Sequence, residues 1–132
     1  MSQRPLSPHL GVYKFMYTMS LSILHRITGC VATAGFIAFV WWLMALASGP
    51  EAYADAMRCL GSPLGKLLLV GFTFSFIYHF CNGIRHLVWD TGRGLERAQA
   101  RASGYVVIVS AIVITAVVVW LGCRALGFTE VA

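Results

Sequence analysis

Two histidines, His79 and His86, stand seven residues apart in a largely apolar part of the sequence. In a helix this spacing puts both imidazoles on nearly the same face, about 10.5 Å apart along the axis. Gly83 lies between them on that face, and its missing side chain leaves room for the edge of a flat macrocycle. An imidazole can then supply an axial ligand to a haem iron, while Arg85 and His86 hold the propionates. The spacing alone equally allows His79 merely to form a hydrogen bond with a neighbouring helix.

A second polar group occupies the segment from Ser22 to Gly29, where a long apolar run begins. In a helix Ser22, Arg26 and Gly29 share one face, and His25 adjoins it. A hydroxyl and a guanidinium on one face suit a carbonyl or carboxylate ligand. Arg26 taken alone is better explained as a boundary residue whose head group reaches water. That interpretation leaves Ser22 and His25 beside it unexplained.

The composition indicates a protein that lies mainly in lipid. Of the 132 residues, 58% are hydrophobic and 11% are charged, whereas soluble domains carry about 25% charged residues. The net charge of +5 could suggest nucleic-acid binding. The basic residues, however, flank the apolar runs, which is the pattern of membrane topology. We therefore expect a single membrane domain, residues 1–132, and no nucleic-acid partner.

Three stretches without charged residues are apolar all round and are long enough, with their flanks, to cross a membrane. About 20 apolar residues in a helix span a hydrocarbon core of about 30 Å. The sequence therefore predicts an all-α membrane protein with three transmembrane helices, separated by a loop over 49–65 with room for one short helix and by an arginine-rich loop over 90–101. The predicted spans are approximately residues 24–49, 64–89 and 103–125.

The basic residues are distributed unequally between the two sides of these spans. The side of the N-terminal segment, residues 1–21, and of the second loop carries seven of the ten Lys and Arg residues, and the other side carries three. The positive-inside rule therefore predicts a cytoplasmic N-terminus. A b-type haem commonly takes two axial ligands, yet helices one and three offer no second histidine inside the membrane, since His25 belongs to the boundary and His9 to the N-terminal segment. Either the iron is five-coordinate or a partner chain supplies the second ligand.

The sequence resembles the cytochrome b family of large membrane anchors of succinate dehydrogenase (complex II). The matching segments are Arg4 to Leu10 with Tyr13, Ser22 to Gly29, and Tyr78 to Leu87 with Trp89 and Asp90. The resemblance implies that His79 is the axial ligand of haem b and that a small hydrophobic anchor subunit supplies the other ligand. It also implies that Ser22 and Arg26 belong to the ubiquinone site. Residues that it places near the haem propionates are His25, Arg26 and His86.

The implied function is to anchor a complex that passes electrons from succinate to ubiquinone. A flavoprotein subunit and an iron–sulfur subunit would be the soluble partners, since this chain has no Gly-rich dinucleotide motif and no clustered cysteines. A haem-free structural anchor or a small transporter subunit is the alternative, although inverted repeats typical of transporters are not visible. The start at Met1, close to the Arg4 motif, favours a multi-pass protein of the bacterial inner membrane over a mitochondrial precursor.

Overall fold

A computed structural model describes residues 16–125 of the chain, which form four helices. These are α1 (Tyr17–Ser48), α2 (Pro50–Gly61), α3 (Pro63–Asp90) and α4 (Arg97–Ala125). Helices α1, α3 and α4 are long and apolar enough to cross a membrane, so the predicted all-α fold with three transmembrane helices is confirmed. The segment Arg4 to Leu10, which carries part of the resemblance, lies outside the described residues.

Helix α2 occupies most of the first predicted loop and begins with Pro50 in its first turn. Proline suits that position because the first N–H groups of a helix have no partner inside the helix. Gly49, with φ at 117°, forms the break between α1 and α2 in a backbone conformation that side chains disfavour. Ser62 then caps α3, because its hydroxyl oxygen accepts a hydrogen bond from the backbone N–H of Gly65 at 3.1 Å.

The second connection is shorter than the sequence predicted, because α4 already begins at Arg97. Its first turns therefore contain Arg97 and Arg101, which are both exposed. Arginine is a good helix former, and its long side chain keeps the charge in water while the helix continues into lipid. The indole N–H of Trp89 donates a hydrogen bond to the carbonyl of Gly94 at 3.0 Å and fastens the turn to the end of α3.

Helix α3 packs against both α1 and α4 and supplies the centre of a small core. Tyr78 is fully buried there and donates a hydrogen bond to the carbonyl of Leu21 at 3.2 Å. Val107 and Ala111 of α4 complete the cluster. By contrast, large apolar side chains on all three long helices remain exposed. Exposed apolar surface of this extent marks a membrane or protein interface.

Gly104 sets the approach of α4 to α1, and we predict that Gly104→Val destabilises the chain. A Cβ atom there would lie 2.5 Å from Cδ1 of Leu21 and 3.0 Å from the ring of Tyr17, so the helices would have to separate. Overpacking of this kind costs about 1–3 kcal/mol. The midpoint of thermal unfolding of the purified protein should therefore fall.

The matched control is Gly122→Val in the same helix, because nothing lies within 4 Å of a Cβ atom at Gly122. That variant should unfold near the wild-type midpoint. Equal destabilisation by the two substitutions would show that helix propensity, and not the contact between α1 and α4, is the cause.

Candidate functional site

His79 of α3 is fixed by a hydrogen bond to the backbone of α1. Its Nδ1 lies 3.0 Å from the carbonyl oxygen of His25. A carbonyl oxygen only accepts hydrogen bonds, so Nδ1 carries a proton, and in the neutral imidazole Nε2 then keeps a free lone pair. Within residues 16–125 no hydrogen-bond partner contacts Nε2. Histidines that ligate metals commonly donate their other N–H to a backbone carbonyl in this way.

Gly29 allows the His79 ring to lie against α1. A Cβ atom at Gly29 would be 2.9 Å from Cε1 and 3.2 Å from Nδ1 of His79. The sequence placed Gly29 on one face with Ser22 and Arg26, and the group that packs against it is this imidazole. At Gly83, one turn further along α3, a Cβ atom would meet nothing within 4 Å. The space beside Gly83 is therefore open on the side of this chain.

The structure brings together the three histidines that the sequence assigned to one site. The rings of His25 and His79 stack with centroids 3.9 Å apart and planes at 8°. His86 lies 5.2 Å from His25 and packs edge-on against Trp89. No group of three or more His, Cys, Asp and Glu residues in 16–125 could hold a metal ion. One histidine with a free Nε2 instead suits a metal that is already held by a macrocycle.

A cavity of about 230 Å³ lies beside His79 between α1 and α3. Gly29, Thr33 and Phe36 contribute to its wall on α1, and Phe80 contributes on α3. Phe36 and Phe80 are exposed, so the cavity opens onto the outer surface of the helices. Cofactor pockets usually enclose about 300–1,000 Å³. The cavity formed by these residues is therefore smaller than a usual cofactor pocket and is open on one side.

Ser22 and Arg26 lie on the face of α1 that also carries cavity-lining Gly29 and Thr33. Ser22 precedes Gly29 by seven residues, and Arg26 precedes Thr33 by seven. Seven residues correspond to about 10.5 Å along the helix axis. Arg26 is exposed and Ser22 is partly buried. Neither side chain has a hydrogen bond or ion pair within the described part of the chain. Both are therefore available to a ligand that enters along this face.

Arg85 does not lie where the sequence placed it, and its assignment to the propionates was wrong. The side chain is 6% exposed and is directed at α4, where Nε donates to the Ser103 hydroxyl at 2.9 Å and Nη2 to the Ala100 carbonyl at 2.7 Å. Nη1 donates to Asn82 at 3.1 Å, and the guanidinium lies over Trp89. Arg85 thus joins α3 to α4. Asn82, a polar residue one turn earlier in an apolar span, was the signal that sequence reasoning overlooked.

Three helices that are long and apolar enough to cross a membrane, with a histidine at a cavity between two of them, are the features of an integral membrane protein. Comparison with known proteins identifies the family. The sequence profile of the Succinate dehydrogenase/Fumarate reductase transmembrane subunit matches residues 1–118. The chain belongs to this family, which confirms the resemblance drawn from its motifs.

Its relatives include cytochrome b subunits from bacteria and mitochondria. The chain is 40% identical over 114 residues to the succinate dehydrogenase cytochrome b556 subunit of Rickettsia typhi, covering 86% of this chain and 89% of the relative. Identity to the Paracoccus denitrificans b556 subunit is 41% over 111 residues, or 84% and 85% of the two chains. The human mitochondrial cytochrome b560 subunit is 41% identical over 110 residues, or 82% and 65%.

Proposed function

We propose that this chain is the larger membrane anchor of a succinate dehydrogenase complex, that it shares haem b with a small hydrophobic anchor subunit, and that it forms part of the ubiquinone site. The relatives are named as cytochrome b subunits of that enzyme. The observation that carries the haem assignment is the hydrogen bond from Nδ1 of His79 to the His25 carbonyl. In the neutral imidazole this bond leaves the lone pair of Nε2 for a ligand, and His79 lines the cavity.

The residues around the cavity fit a haem. His79 would supply one axial ligand through Nε2, and the open space beside Gly83 would admit the ring edge. His25, His86 and Arg26 would hold the propionates, since they lie towards the start of α1 and the end of α3. When bound, the haem would accept and donate one electron at a time. The second axial ligand would come from the small anchor subunit, which also closes the cavity.

Ser22 and Arg26 would hold the quinone headgroup. The Ser22 hydroxyl would donate a hydrogen bond to one quinone carbonyl, and the Arg26 guanidinium would stabilise the negative charge that develops on reduction. The exposure of Arg26 and the absence of any competing partner within residues 16–125 support this role. Electrons would arrive from the flavoprotein through the iron–sulfur subunit, docked at the cytoplasmic side of a bacterial inner membrane.

The alternative, a haem-free structural anchor or a small transporter subunit, has less support. Transporters typically interrupt their helices near the middle of the membrane, whereas α1, α3 and α4 each continue without a break. A structural anchor would not explain why an imidazole that stacks on another also lines a cavity. We therefore retain the haem-binding anchor.

The shared site predicts that the chain binds little haem when it is produced alone. Membranes that contain the whole complex should show a b-type band in the reduced-minus-oxidised spectrum. Membranes with an equal amount of this chain alone should show a small fraction of that band, because one wall and one ligand are missing. A purified single chain with a full complement of bis-histidine haem would contradict the shared site.

A further inference from the structure

We infer that Thr28 of α1 adjusts the electron density of the His79 imidazole through the peptide carbonyl of His25. This inference rests on the proposed role of His79 as an axial ligand. Thr28 is 3% exposed, and its hydroxyl oxygen lies 3.0 Å from the carbonyl oxygen of His25. That same oxygen accepts the hydrogen bond from Nδ1 of His79. The hydroxyl and the imidazole therefore share one acceptor.

Sharing an acceptor weakens each of the bonds to it. A carbonyl oxygen has two lone pairs, and in a helix it already accepts the N–H four residues further on, here that of Gly29. The Thr28 hydroxyl draws on the same electron density, although it divides its hydrogen between this carbonyl and that of Leu24 at 2.8 Å. The His25 carbonyl is consequently a weaker acceptor for His79 than it would be without Thr28.

The strength of that acceptor affects Nε2 on the far side of the ring. A strong hydrogen bond from Nδ1–H moves electron density into the imidazole and raises its basicity as a ligand. A more basic axial ligand stabilises the oxidised iron, so the reduction potential falls. By weakening this hydrogen bond, the Thr28 hydroxyl keeps the potential higher than a purely apolar side chain would.

Thr28 differs in this respect from other threonines in the helices. Hydroxyl bonds to the carbonyl one turn earlier are ordinary in helices, and Thr33 and Thr73 make them to Gly29 and Leu69. Those two carbonyls accept no hydrogen bond from a histidine within residues 16–125. Thr28 alone among these three reaches the carbonyl that anchors His79. Thr73 therefore provides a matched control.

The test is a redox titration of the haem in the purified whole complex. Thr28→Val keeps the shape of the side chain and removes the hydroxyl, so the midpoint potential should shift to a more negative value. Thr28→Ser restores the hydroxyl and should return the potential to that of the wild type. Thr73→Val removes the hydrogen bond from a threonine hydroxyl to the Leu69 carbonyl in α3, away from His79, and should leave the midpoint potential unchanged. The low-spin electron paramagnetic resonance signal should change in Thr28→Val alone.

The outcomes separate this inference from the function on which it rests. A His79-dependent haem whose potential is the same in Thr28→Val and wild type would overturn the role of Thr28 and leave the proposed function intact. A complex without any His79-dependent haem would overturn both. If Thr28→Val fails to assemble, Thr28→Ala replaces it, and failure of both while Thr28→Ser assembles would assign the hydroxyl to folding and overturn the inference.

Discussion

Replacement of His79 by leucine is expected to abolish the b-type band of the complex while the chain still inserts into the membrane. The substitution removes the imidazole that lines the cavity and whose Nε2 has no hydrogen-bond partner within residues 16–125. It also removes one hydrogen bond to α1, which is worth about 1 kcal/mol and is too little to unfold three long apolar helices. The measurement is the reduced-minus-oxidised spectrum, normalised to the amount of chain in the membrane.

Two further variants separate ligation from packing. His79→Asn can still donate a hydrogen bond to the His25 carbonyl but has no counterpart of Nε2, so it should lose the band as completely as leucine does. His86→Leu should cause a milder change, because His86 packs on Trp89 and would contact a propionate rather than the iron. Equal spectral loss in His86→Leu and His79→Leu would refute this division of roles.

The helices could be predicted from the sequence because runs without charge leave the backbone no other way to satisfy its hydrogen bonds in lipid. The helix ends could not be predicted as well. Helix α1 begins at Tyr17 and α4 at Arg97, before the predicted spans at 24 and 103, because polar and basic residues also form helix outside lipid. Where the lipid boundary crosses each helix therefore stays a prediction, as does the cytoplasmic N-terminus.

The site was only partly accessible from the sequence. Histidines in a predicted span are functional candidates because ionisable groups there are costly, and this reasoning found His25, His79 and His86. The sequence alone could not predict that the His25 ring stacks on the His79 ring, because this contact depends on how α1 packs against α3. That fit is set by close contacts, in which Gly29 accommodates the His79 ring and Gly35 accommodates Phe72.

The error at Arg85 has the same origin. Read along the chain, Arg85 stands beside His86 near the end of an apolar run, where a basic residue normally marks the water boundary. Two of its hydrogen-bond acceptors come from α4, 15 and 18 residues later. With neutral acceptors around the guanidinium, the side chain can be buried between helices. Contacts between helices that are distant in the sequence are not visible in local spacing.

Arg26→Leu is expected to lower succinate–ubiquinone turnover far more than Ser22→Ala. A hydrogen bond between neutral groups contributes about 1 kcal/mol, and one that involves a charged group about 1.5–3 kcal/mol. Since each 1.36 kcal/mol corresponds to a tenfold change in rate, Ser22→Ala should cost roughly fivefold and Arg26→Leu roughly 10- to 150-fold. Both side chains lack a partner within residues 16–125, so neither loss should arise from a broken contact within that part of the chain.

The control reaction uses an artificial dye that accepts electrons upstream of the quinone, so that succinate oxidation by the assembled complex should survive in both variants. Arg124→Leu provides the matched variant, because Arg124 also flanks an apolar run without charged residues but near the other end of the chain, where it lies over Trp120. It should retain quinone turnover. If Arg26→Leu and Ser22→Ala lost dye reduction and quinone reduction to the same extent, both residues would serve assembly. The quinone-binding role proposed for this face of α1 would then have to be abandoned.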